Sequence, residues 1–316
     1  MLRRSILSLP ALLPFTAARA QSFPDRALRL VVPFPPGGAA DFLGRVVGER
    51  LSRGVGQPVT IENRSGAGGN IGTAAALAAE RDGHTLVLNG VPVAVNRFLF
   101  ARLPFDPDAD LVPLAMIALS PNIMVVPNTL PVNSVAEFVA LARTRRLNYA
   151  SIGNGTSLHL AGAQFAIAAG VEMDHVPYRE TGAANTDLIA GRVEVMFQTI
   201  AAAADLVRSG RMKALAVTSA ERAPGFDDVP TLREAGVNLV SVGWFGLFAG
   251  RGTPPERVAV LEREALAAVR DEAVAARIRG SGSIPRAMDG AEFRAFIAAE
   301  VARLSETVRV AGIRAD

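Results

Sequence analysis

The chain has 316 residues, half of them apolar, enough for two domains of ordinary size. The net charge of +3 comes from 33 basic and 30 acidic residues, and Arg3, Arg4 and Arg19 account for the whole excess. The rest is balanced, which argues against a polyanion-binding surface and a nucleic-acid partner. With no cysteine there is no disulfide scaffold, thiolate nucleophile, iron–sulfur cluster or thiolate zinc site, while the redox compartment stays open.

Residues 1–20 read as an export signal. Arg3 and Arg4 form a positive start, Ser5 to Phe15 an apolar stretch, and Ala18-Arg19-Ala20 a small-residue cleavage site before Gln21. A helix that stays attached is the alternative. The mature chain then alternates strands and helices. Leu28 to Val32 is a strand, and Pro33 to Gly38 stops it. Leu43, Val47 and Leu51 mark one face of a helix, with Asp41 in its first turn. Val59 to Asn63 is a second strand. The glycine-rich segment Ser65–Asn70 leads into an alanine-rich helix ending near Gly83, and Thr85 to Leu88 is a third strand. Leu111 to Ala136 has no charge, the length of a membrane span. Pro113, Pro121, Pro127 and Pro131 would break such a helix, so short buried strands joined by turns are expected.

The rhythm then resumes. Ile123 to Val126 is a strand, Ser134 and Glu137 form a capping box, and Asn148 to Ser151 is a strand. Ser157 to Ala169 is a helix closed by Gly170. Strands at His175–Tyr178, Val193–Phe197 and Leu215–Thr218 follow, with helices between them. Trp244 to Phe248 is a strand. Thr253-Pro254-Pro255-Glu256 and Asp289/Glu292 read as helix starts. Alternation of this kind implies doubly wound parallel sheets, with ligands at the carboxyl ends of strands.

Catalytic motifs do not emerge. The only lysine, Lys213, follows no phosphate-binding glycine loop. Gly66, Gly68 and Gly72 miss the dinucleotide spacing by one position, and the serine nucleophile elbow does not occur. His84, His159 and His175 have no metal-ligand spacing, and Asp106/Asp108 and Asp227/Asp228 read as turn formers. Two loops suit an anion. Pro35 to Asp41 brings glycines to a helix start, and Gly153 to Ser157 does the same with hydroxyls. Read from the residues alone, both are equally ordinary tight turns.

These segments carry a resemblance. From about Pro24 to Ile313 the chain resembles the solute receptors of the tripartite tricarboxylate transporter family, the Bug receptors. The matching stretches are Leu30–Asp41, Val59–Gly72, Ser151–Leu160, His175–Tyr178, Pro230–Gly236 and Trp244–Phe248. The resemblance implies an α/β, two-lobed periplasmic binding protein of the type II-like class. Each lobe is a helix-flanked mixed sheet, and a ligand cleft lies between them. Lobe I spans 21–118 with 243–316 and lobe II spans 119–242, joined near Pro113–Leu119 and Gly243–Ala249.

By the same resemblance the protein captures a small organic acid and delivers it to a membrane permease, as a monomer without cofactor, metal or chemistry of its own. Gly37, Gly38, Ala39 and Asp41 would form one wall of the site, and Gly155, Thr156, Ser157 and His159 the other. Asn89 would line the floor, and Tyr178, Asp187 and Gln198 would meet the variable end of the ligand. Glu180, where the family commonly has glycine, and Gln198, near a common aspartate, depart from the pattern. An exported ligand sensor, or a hydrolase or isomerase on a similar fold, are the competing readings.

Overall fold

The computed structural model describes residues 23–314; the expected signal, residues 1–20, lies outside the described residues. In chain order the first part comprises β1 (Leu28–Val32), α1 (Ala39–Val55), β2 (Val59–Asn63), a 3-10 turn at Ala67–Gly69 and α2 (Asn70–Leu77). β3 (Thr85–Gly90), α3 (Pro92–Leu99), α4 (Pro107–Asp110) and β4 (Leu111–Pro127) follow. The middle holds α5 (Val135–Thr144), β5 (Leu147–Ser151), α6 (Ser157–Ala169), β6 (Met173–Pro177) and α7 (Thr181–Ile189). It continues through β7 (Val195–Thr199), α8 (Ile200–Arg208) and β8 (Met212–Val217). The chain closes with β9 (Val242–Gly250), α9 (Pro255–Arg270), α10 (Glu272–Gly280), β10 (Ile284–Asp289) and α11 (Gly290–Ala311).

Two mixed sheets result. The first runs β2-β1-β3-β9-β4-β10 and the second β6-β5-β7-β4-β8. Pairs within the βα series are parallel, as expected, but every pairing of β4 and the β3–β9 pair is antiparallel. The doubly wound parallel expectation is corrected on this point.

The uncharged stretch from Leu111 is the larger correction. It does not break into short strands, because β4 runs unbroken through 17 residues and belongs to both sheets. Its first half pairs with β9 as far as Pro121 and its second half with β7 and β8. Pro113 and Pro121 are tolerated because the ladder shifts register beside Pro113 and hands over to the second sheet after Pro121. The alanine-rich helix also ends earlier than expected, at Leu77.

Alternation along the strands builds the cores. Leu28, Leu30, Val32, Leu86, Leu88 and Leu247 face α1 and α9, whereas Val31, Val87 and Phe248 face the opposite side with Phe293 of α11. In the second sheet Met124, Val126, Val195 and Phe197 join Phe138 and Phe165, while Ile123, Val125 and Met196 join Leu188 and Ile200. Helix ends follow their caps. Ser134 Oγ accepts from the Glu137 N–H, and Asp289 with Glu292 forms a full capping box. Asp106 caps α4, in keeping with its reading as a turn former. Thr253 does not cap α9. Its hydroxyl donates to the Gly250 carbonyl, and Pro255 opens the helix.

Candidate functional site

Four helices begin at one small cavity between the sheets. Gly38, Ala39 and Ala40 bring the start of α1, and Val91 and Pro92 the start of α3. Thr156, Ser157 and Leu158 bring the start of α6, and Thr199 that of α8. Phe34, Pro35, Ile152, Trp244 and Phe245 supply the apolar remainder. The space is about 20 Å3, room for a water molecule. Among the described residues no side chain caps α1, α3 or α8, whereas α6 is capped, Thr156 Oγ1 accepting from the His159 N–H at 3.4 Å. Uncapped starts leave N–H donors and the positive ends of helix dipoles facing the cavity, an environment for an anion.

Asp41 sits in the first turn of α1, where a free carboxylate would compete with such an anion. It is turned back into the protein. Its Oδ2 accepts from the Gly37 N–H at 3.1 Å and its Oδ1 pairs with Arg45 at 3.0 Å. Burial pushes this carboxyl up, but Arg45, the Gly37 N–H and Asn63 outweigh it and hold it below the usual carboxylate range. Asp41 therefore shapes the loop and stands outside the cavity walls.

Other expected site residues act from behind as well. Asn89 is buried with its amide used by Thr73 Oγ1 and the Gly90 N–H. Gln198 is buried, donating to Asn185 and accepting from the Thr199 N–H. Tyr178 lines an adjoining chamber of about 390 Å3, together with Phe100, Arg179 and the Ser65–Gly69 segment. Phe34, Pro35 and Ile152 wall both spaces. The Tyr178 hydroxyl donates to Asp187 at 2.8 Å, and Arg192 holds the other oxygen of Asp187 at 2.7 Å. Burial first, and then Asp187, pushes the Tyr178 hydroxyl up to about 12, so it stays a neutral donor. Asp187 orients Tyr178 and lines neither space.

His159 is a support. Its Nδ1 accepts the Gly155 N–H at 3.1 Å, which places its proton on Nε2, and its ring stacks on His175 with centroids 3.9 Å apart. His175 Nε2 meets Ser151 Oγ at 2.7 Å, and Tyr149 packs on both imidazoles. The rings border an open groove of about 970 Å3 that shares no wall residue with the cavity. Gly37 and Gly155 are likewise outside the walls, the second pressed against Asn96. Gly38, Ala39, Thr156 and Ser157 are thus the expected residues brought together at the cavity. Trp244, Phe245, Val91 and Thr199 were missed.

The buried imidazoles have a pH consequence. Burial, reinforced by His175, lowers His159 to about 3, and burial lowers His175 to about 4. An unfolded histidine takes a proton near 6.5. Between about 6.5 and 4 the unfolded chain binds more protons than the folded one, so stability falls as pH drops through that window. The depressed carboxylates Asp41 and Glu194 add their loss only at lower pH. Melting curves are expected to lose roughly 5 kcal/mol between pH 7 and pH 4.5. His159→Asn, which keeps an acceptor for the Gly155 N–H, should roughly halve that loss. An unchanged pH profile in the variant would count against the assignment.

The comparisons bear on the family and the fold. A family model described as the tripartite tricarboxylate transporter family receptor matches residues 43–313. The protein BugT of Bordetella pertussis is 34% identical over 300 residues, covering 93% of this chain and 92% of BugT. A solved R. palustris structure with adipate superposes with a TM-score of 0.89 at 35% identity, covering 92% of this chain and 99% of that one. MatC from Rhodopseudomonas palustris with bound malate gives 0.83 at 31% identity, over 90% and 100% of the two chains. With a family match across most of its length and two mixed, helix-flanked sheets meeting at a shared cleft, the chain belongs to the tripartite tricarboxylate transporter receptor family, the Bug receptors.

Proposed function

We propose that this protein is a periplasmic receptor that captures a small carboxylate by closing two lobes over it, without chemistry of its own. In this reading the lobes are residues 21–118 with 243–316 and residues 119–242. The signal is cleaved near Ala20, and the monomeric, loaded receptor delivers its ligand to a membrane permease. The observation that carries the reading is the convergence of four helix starts, three of them without a side-chain cap, on one small cavity. Structural relatives solved with adipate and malate support a carboxylate as the anion. A space of about 20 Å3 cannot hold such a molecule, so the lobes part to admit it. The carboxylate then rests on the starts of α1 and α6, and the body of the ligand extends past Phe34 and Ile152 toward Tyr178 and Arg179.

A thermal-shift screen of the mature, ligand-stripped protein against di-, tricarboxylic, amino and aromatic acids tests this. A ligand present at 100 times its Kd adds about 2.7 kcal/mol, a shift of several degrees. No shift with any class would overturn the reading. Gly38→Val provides the control. A Cβ at Gly38 meets nothing closer than 4.0 Å, so the fold tolerates it. The added side chain stands at the uncapped start of α1 and blocks close approach of a ligand there, and affinity is expected to fall about 100-fold, close to 2.7 kcal/mol.

A further inference from the structure

Thr181 opens α7, a nine-residue helix whose N-cap, Glu180, makes no side-chain cap hydrogen bond. Its side chain is 7% exposed, and its Oγ1 is buried with no hydrogen-bond partner among the described residues. Across the seam lies Gly38, the N-cap of α1, which is likewise uncapped; a Cβ built on Gly38 would sit 4.0 Å from Thr181 Oγ1. Two open helix starts, one flanking each sheet, therefore face each other around an unpaired hydroxyl.

This juxtaposition makes closure depend on what the cleft holds. With the lobes apart, water satisfies the hydroxyl. Closing on an empty cleft removes that water and leaves a buried donor without an acceptor, which opposes closure. Closing on an anion seated at the start of α1 supplies an acceptor oxygen. We propose that Thr181 is a ligand-contacting residue whose hydroxyl donates to an anionic oxygen held at the α1 start, tying lobe closure to occupancy. The inference rests on the receptor reading and sharpens it. The ligand end at this seam is a carboxylate rather than an ammonium group, because both helix starts repel a cation.

The chain's single tryptophan, Trp244, lines the cavity and reports on the cleft without a label. Acrylamide quenching of ligand-free protein measures how open the cleft is. Thr181→Val keeps the shape and removes the donor. Its ligand-free form is expected to be about twofold less quenchable than wild type, and Thr181→Ser to match wild type. With adipate as the probe, Thr181→Val should raise Kd about tenfold and Thr181→Ser by less than about threefold. Equal quenching of ligand-free Thr181→Val and wild type overturns the proposal, whatever adipate does. If wild type ignores adipate while the ligand-free proteins still differ, the coupling to closure stands and the failure falls on the carboxylate reading. Should Thr181→Val fail to fold, Thr181→Ala removes the same donor and is read against the same criterion.

Discussion

Gly68→Val is expected to remove tight binding while leaving both sheets folded. Gly68 lies in the 3-10 turn of the glycine-rich segment with φ +59°, and a Cβ there would run into the backbone carbonyl of Asn154 in the opposite loop. Asn96 holds the turn in place, its Nδ2 donating to the Gly68 carbonyl at 3.1 Å and to Asn70 Oδ1 at 2.8 Å. This backbone-on-backbone contact closes the chamber beside the cavity, and only a residue without a side chain permits it. The left-handed conformation alone penalises a β-branched residue by about 1–2 kcal/mol. If the lobes part as proposed, the collision with Asn154 arises only on closure, so most of the damage is expected in the closed state. Calorimetric titration with the acid found in the screen should show Kd raised at least about 100-fold. The melting temperature should fall only by about 5 °C. A Kd within threefold of wild type would sink the assignment of this turn as the closing contact.

Gly246→Ala is expected to act on stability instead. Gly246 sits mid-strand in β9, paired with Asn89 on one side and Met116 on the other. An added Cβ would press into the Phe293 ring and lie 2.8 Å from the Ala115 carbonyl oxygen. Neither neighbour can yield. Phe293 is fully buried against Trp244 and Phe248, and Ala115 belongs to a central strand. Overpacking of this kind costs typically 1–3 kcal/mol, and the fixed backbone neighbour places this site at the upper end. A drop in melting temperature of about 6–12 °C is the expected result. A loss below about 2 °C would show that α11 shifts freely over the sheet.

Much of this was legible in the sequence wherever a local signal sufficed. The strand, proline–glycine stop and helix from Leu28 to Val55 were readable because strand periodicity, turn residues and helix spacing agree there. That Gly38, Ala39, Thr156 and Ser157 stand at helix starts after strand-ending loops was legible for the same reason, whereas their expected place at a site came from the family resemblance. β4 was not legible, because proline is judged locally while its tolerance is decided by bulges and by partners more than a hundred residues away. The role of His159 was hidden by α6 itself. Leu158 through Phe165 are all buried, so the helix has no polar face to show which side meets the cavity. Thr181, next to the noticed departure at Glu180, is an ordinary helix-opening threonine until the fold sets it opposite Gly38. Asp41 and Asp187 were chemically suggestive carboxylates, but each already has a cation: Arg45 and Arg192.

The placement of β9 bears on when the protein can fold. β9 lies between β3 and β4 at the middle of the first sheet, yet it begins at residue 242. A chain made from its N-terminus holds β1, β2 and β3 for some 150 residues of synthesis before their central partner exists. Pairing across that separation is slow, because a long loop must close before any contact rewards it. The first sheet therefore stays incomplete while the chain is nascent, and the export proposed for this chain can begin before that sheet locks.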